Sequence, residues 1–153
     1  VKLVHYSAAP IGALVVREQK SHSIKPTGLW VSDDDDEQNW RAWCEAEDVR
    51  PDCLRFAYDV ELVPDANVLF LRSAPEVLSF GREWLTDDPA LREVNRSEMF
   101  LAWNRVRERW AGLMITPYQW EVRLGPMWYY GWDCASGCIW DPAAIKSITL
   151  RET

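Results

Sequence analysis

Histidine is scarce in this chain: of 153 residues, His5 and His22 are the two. Glycine and proline together take 16 positions, too few for a collagenous, disordered or low-complexity chain. No apolar run approaches the roughly 20 residues that cross a bilayer, which predicts a protein with no membrane span. No basic start leads into a hydrophobic block and cleavage site, so the chain reads as cytoplasmic and its four cysteines as reduced thiols. Phosphate-cradling GxxxxGK[ST], dinucleotide GxGxxG, HExxH, G-x-S-x-G and EF-hand patterns are all missing. Internal repeats and linkers are missing too.

What is present suits one globular domain over residues 1–153. A chain of 17.8 kDa buries roughly two thirds of its unfolded surface. Hydrophobic residues make up 48% and charged residues 27%, and acid exceeds base by 24 to 17. The net charge of -7 offers no long-range attraction to nucleic acid or anionic lipid, although thirteen of the basic residues are arginine and a local basic patch needs no more than that. Tryptophan is the outlier, with ten copies. Each joins a large apolar body to one N–H that needs a partner when buried. Ten exceed the needs of an ordinary core, which predicts a pocket or groove with aromatic walls.

Alternation and spacing divide the chain into short elements. Lys2–Ser7 and Leu29–Ser32 have strand composition, and Ala8–Glu18 suits either a short helix or an extended segment. The acidic run Asp33–Glu37 suits the capped, water-facing start of a helix over Glu37–Asp48, with Trp40 and Trp43 on one face. Leu54–Leu62 is the clearest strand, its apolar residues alternating with Arg55, Asp59 and Glu61. Strands are also expected at Val68–Leu71, Gly112–Thr116, Trp120–Leu124, Gly137–Trp140 and Lys146–Leu150. Helices are expected at Pro75–Leu85 and Ser97–Trp110. Strands cluster instead of alternating strictly with helices, so the expected class is α+β, a mixed, mostly antiparallel sheet with two or three helices.

Chemistry has few candidates. His5 ends a predicted strand beside Tyr6 and Ser7, where a side chain is held rigidly and can face a cleft or simply bond backbone. Carboxylates for acid–base work are Asp59, Glu61, Glu121 and Asp133, the last near a strand mouth. Cys44, Cys53, Cys134 and Cys138 offer four thiolates for a zinc ion, but their spacings are not those of zinc knuckles; small buried hydrophobes is the plainer reading.

Taken in order, these pieces resemble a known family. A strand ends in His5-Tyr6-Ser7, Gly28-Leu29-Trp30-Val31-Ser32 follows, then an aromatic helix, and the chain closes with Cys138-Ile139-Trp140-Asp141-Pro142-Ala143-Ala144-Ile145. This resembles small members of the ADP-ribosyltransferase superfamily, including bacterial and phage toxin-like proteins. The resemblance implies a split sheet, NAD as the cosubstrate, and transfer of ADP-ribose to a protein or nucleic-acid acceptor. It implies that His5 contacts a ribose, that Ser32 bonds ribose or nicotinamide, and that Tyr6 and Trp30 are aromatic walls. Where the family's late strand carries a glutamate, this chain has Ala135-Ser136-Gly137, so either Asp133 or Glu121 stands in to stabilise positive charge on the sugar, or the transfer activity is lost. Lys25 and Arg17 are candidate pyrophosphate donors. A second class of function stands beside this one: a non-enzymatic interaction module whose Trp128-Tyr129-Tyr130-Gly131-Trp132 run lines a groove, or an inhibitory or partner protein whose acid excess meets a basic surface.

Overall fold

Seven strands form one sheet in the order β4-β5-β6-β2-β1-β3-β7. The strands are β1 (Leu3–Ser7), β2 (Leu29–Asp33), β3 (Phe56–Leu62), β4 (Val68–Leu71), β5 (Gly112–Ile115), β6 (Ser136–Ile139) and β7 (Ile145–Leu150). The computed structural model describes residues 1–48 and 51–152. β4 and β5 are parallel, joined by a crossover carrying helices, and every other neighbouring pair is antiparallel. Four α-helices occur among the described residues: α1 (Trp40–Ala46), α2 (Ala74–Trp84), α3 (Trp103–Val106) and α4 (Met127–Tyr130). The chain is thus a single α+β domain with a mixed, mostly antiparallel sheet, carrying four helices against the two or three expected.

The sheet curls, and chain length requires it. β3 and β4 lie five strand positions apart in the order, about 24 Å in a flat sheet. From Leu62 to Val68 the chain reaches at most about 20 Å even when extended. It is far from extended, because the Ala66 N–H donates to the Val63 carbonyl at 3.1 Å and Asp65 sits at φ 57°. The two sides must therefore be drawn together. Inside the curl one aliphatic cluster takes a residue from every strand: Leu3, Val31, Val60, Phe70, Met114, Ile139 and Ile148.

The outer face of β4, β5 and β6 is covered by α2, α3 and α4 through an aromatic core. Five of the ten tryptophans are buried there: Trp84, Trp103, Trp128, Trp132 and Trp140. Phe80 of α2 is the hub, its ring centroid 5.8 to 6.4 Å from those of Trp84, Trp103, Trp110 and Trp128. The indole N–H of Trp103 donates to the Ser23 carbonyl at 3.0 Å, and that of Trp140 to the Trp110 carbonyl at 2.7 Å.

Several local expectations are corrected. The helix expected over Ser97–Trp110 is helical only at Trp103–Val106, with a 3-10 turn at Val94–Ser97 before it. Glu98 takes a left-handed φ of 53°, and Leu101, fully buried, makes bridges to Ser23 and Leu85 instead of a helical turn. The strand expected at Trp120–Leu124 is a 3-10 turn over Trp120–Val122, while Ala8–Glu18 forms neither helix nor strand.

The aspartate run does not all face water. Asp33 is buried, its carboxylate accepting from the Lys2 N–H at 3.0 Å, the Asp35 N–H at 3.1 Å and the Thr116 hydroxyl at 2.6 Å. These donors replace the water that burial removes. The cap of α1 is Asn39, which accepts from the Ala42 N–H.

Candidate functional site

The ladder between β1 and β2 contains two pairs, Leu3↔Asp33 and Val4↔Ser32. Past them β1 continues along β3 through Ser7, and β2 runs along β6 through Leu29, Trp30 and Val31. The two strands part company, and the sheet opens between them. A cleft of about 480 Å³ occupies the opening, walled by Tyr6 and Ser7 of β1, Trp30 and Ser32 of β2, Trp40 of α1, and Trp132, Asp133, Cys134 and Ser136 before and within β6. Lys25 and Cys53 complete the rim. That volume falls within the usual range of small-ligand sites.

Tyr6, Trp30, Ser32 and Asp133 therefore meet at one place. Tyr6 is a fixed wall: its hydroxyl donates to Asp34 at 2.6 Å, and the Arg41 guanidinium lies 5.3 Å from its ring centre. Burial and the Asp34 carboxylate raise its pKa, so it stays protonated. Trp30 packs edge-on against Trp132 at 5.0 Å, with the Lys25 ammonium 5.4 Å from its ring centre. The Ser32 hydroxyl oxygen accepts from the Trp40 N–H at 2.9 Å, which starts α1 and leaves the hydroxyl proton for another acceptor. Burial raises the Asp133 carboxyl above its usual range; Lys25 and Arg123 pull it back, and Glu47 adds to the rise. Gln38 fixes its backbone, donating from its amide to the Asp133 carbonyl at 3.0 Å while its own carbonyl accepts from the Ala135 N–H at 2.7 Å.

His5 and Glu121 lie elsewhere. Alternation along β1 puts Val4 and Tyr6 on the face shared with Ser32, and His5 on the other, opposite Tyr58 of β3. The ring spans the gap between the parted strands: Nδ1 lies 2.6 Å from the Trp30 carbonyl. A carbonyl only accepts, so Nδ1 carries the proton. His5 thus positions Trp30 from behind and is not in the cleft wall. Glu121 is exposed on the 3-10 turn and does not line the cleft. Arg17 is held away from it, its N–H on the Trp140 carbonyl.

Sequence reasoning missed Trp40 and Ser136 as walls, and had Trp132 only as part of a run lining an interaction groove. The signal for Ser136 was present, since it stands where the family resemblance calls for glutamate. The β2–β6 register sets it directly opposite Ser32, its hydroxyl donating to the Cys134 carbonyl at 3.0 Å. The aromatic run expected to line a groove does not do so as a unit, because Trp132 lines the cleft while Trp128 and Tyr129 are interior and Tyr130 is exposed away from it. Among the described residues no group of three or more His, Cys, Asp and Glu is placed to hold a metal ion, and no helix is long and apolar enough to cross a membrane.

No family model matches the chain, and neither the curated proteins nor the solved structures contain a match to it. The chain is an α+β domain whose curled sheet parts between two central strands to form an aromatic-walled, acid-bearing cleft.

Proposed function

We propose that this is an ADP-ribosyltransferase-like protein that takes NAD as substrate in the cleft and passes ADP-ribose to a protein or nucleic-acid acceptor. One observation carries the reading: Tyr6, Trp30, Ser32 and Asp133, spread over most of the chain, line a single small-ligand cleft at the parting of the sheet. The polar chemistry of that wall fits the ligand. Lys25 on the rim supplies positive charge for pyrophosphate.

NAD brings the ribosyl group and a leaving group, nicotinamide, that departs neutral with the bonding electron pair. Trp30 and Tyr6 hold the flat ring and exclude water. Ser32 orients a ribose or carboxamide oxygen through its remaining hydroxyl proton. Asp133, as carboxylate, stabilises positive charge developing on the sugar, and the half-buried setting that raises its pKa also strengthens that attraction. The ribose contact first expected of His5 has no place in this scheme.

Calorimetry with NAD and an assay for released nicotinamide test the reading together. Micromolar binding lost in Trp30→Ala, with turnover lost and binding kept in Asp133→Asn, is the expected pattern. Absence of NAD binding to the wild-type protein would overturn it.

A further inference from the structure

Two touching thiols beside the cleft take no part in that chemistry. Cys44 lies on α1 and Cys53 in the 3-10 turn Pro51–Leu54, and their Sγ atoms are 3.5 Å apart. The two differ in access: Cys44 is buried at 2% exposure, whereas Cys53 is half-buried and lines the cleft. A disulfide needs sulfurs about 2.05 Å apart, so closure asks for a shift of about 1.5 Å, within reach of a side-chain rotation and a small movement of the turn.

We propose that Cys44 and Cys53 are a reversible dithiol–disulfide pair built into the cleft wall, oxidised by low-molecular-weight disulfides of the glutathione class. Cys53 is the entry point. Its thiol loses a proton, the thiolate attacks one sulfur of the oxidant, and the oxidant's S–S bond breaks to release one thiolate, which takes up a proton. Cys44, once deprotonated, attacks the Cys53 sulfur of the mixed disulfide and expels the second thiolate. Two protein thiols are oxidised and one small disulfide is reduced to two thiols. Burial and the bond to Cys53 push the Cys44 thiol up to about 12, which makes it the poorer first nucleophile, and contact with the Cys53 sulfur gives it the resolving role. The bond ties the 51–54 turn to α1, whose first residue, Trp40, is itself a cleft wall. The pair therefore couples redox state to cleft shape whatever ligand the cleft takes.

The test is equilibration of the folded protein with mixtures of glutathione and its disulfide, followed by acid quench, alkylation and peptide mapping. Loss of two thiols together, with Cys44 linked to Cys53, is the expected result. Cys134 and Cys138, both buried and both held as neutral thiols by burial, remain thiols that alkylate only after denaturation. Cys44→Ser should stop at a glutathione adduct on Cys53. A lasting adduct on Cys53 of the wild-type protein, a link between any other pair, or no thiol lost would each overturn the proposal, and none of these needs the variant to fold.

Discussion

On the side formed by β4, β5, β6 and β2, every residue of β5 and β6 is buried; on the side formed by β1, β3 and β7, only Leu3, Val4, Tyr58 and Val60 are. The first side is dry on both faces, with the aliphatic curl beneath it and the aromatic core above. Its strands approach so closely that a Cβ on Gly137 would stand 2.1 Å from Met114 Sδ and 2.3 Å from the Leu113 carbonyl oxygen. The second side is fastened along its ladders and by two ion pairs, an exposed one of Lys146 with Glu61 at 2.9 Å and a half-buried one of Arg151 with Asp59 at 2.8 Å. The cleft opens where a rigid, dry half meets a wetter half across only two ladder pairs. A binding site at such a boundary has one wall that scarcely moves and one that can.

That contrast can be broken from either side. Trp103→Ala, in the dry half, should destabilise the protein by about 3–5 kcal/mol in urea denaturation, because a fully buried ring and its bond to Ser23 are lost together. A loss below about 1 kcal/mol would mean the aromatic core is not what holds that half together. At the boundary, Asp133→Asn should cost about 10²–10³-fold in nicotinamide release. The fold itself should be no less stable near neutral pH. The folded pKa of Asp133 is raised, so its contribution to stability declines as pH rises from the unfolded toward the folded value, and a neutral amide removes that penalty. The acid limb of wild-type turnover should accordingly lie above the ordinary aspartate value of about 3.9.

Thr116→Val removes the hydroxyl that donates to the buried Asp33 carboxylate and should cost about 2 kcal/mol, read as a lowered denaturation midpoint with unchanged slope. In the wet half the effects shrink. Arg151 lowers the pKa of Asp59, so their pairing stabilises above the unfolded carboxylate pKa and fades as pH falls through the folded one. Arg151→Ala should lower the melting temperature slightly at neutral pH, less in high salt, and the difference should vanish in acid. Lys146→Ala should leave the midpoint where it is; a clear drop there would erase the distinction between the halves.

Much of this architecture was legible from local pattern. The alternation of Phe56, Tyr58, Val60 and Leu62 marks β3 to within a residue or two, as the short apolar runs mark β4, β5, β6 and β7. Spacing failed where two structures share one pattern. Phe100, Trp103, Val106 and Trp110 stand three or four apart, yet only the stretch from Trp103 to Val106 is α-helical, because Leu101 has a better use bridging Ser23 and Leu85. The acidic run looked like a wet helix start, yet Asp33 is interior because donors from Lys2, 31 residues earlier, and Thr116, 83 residues later, converge on it. For the cleft, Tyr6, Trp30, Ser32 and Asp133 were readable as candidates, whereas Trp132 looked like one aromatic among many.

By itself the order of residues determined seven of the eight segments expected as strands, that the domain is rich in buried indole, and which few side chains are candidates for chemistry. Those properties follow from periodicity and side-chain type, which act over a handful of neighbours. Tertiary structure alone decided that β1 and β2 separate after Val4 and Ser32, that His5 braces Trp30 from the far face while Asp133 enters the cleft, and that two thiols nine positions apart come into contact. Each depends on the register of strands distant in sequence, and a shift of one residue would turn every side chain of a strand to the opposite face.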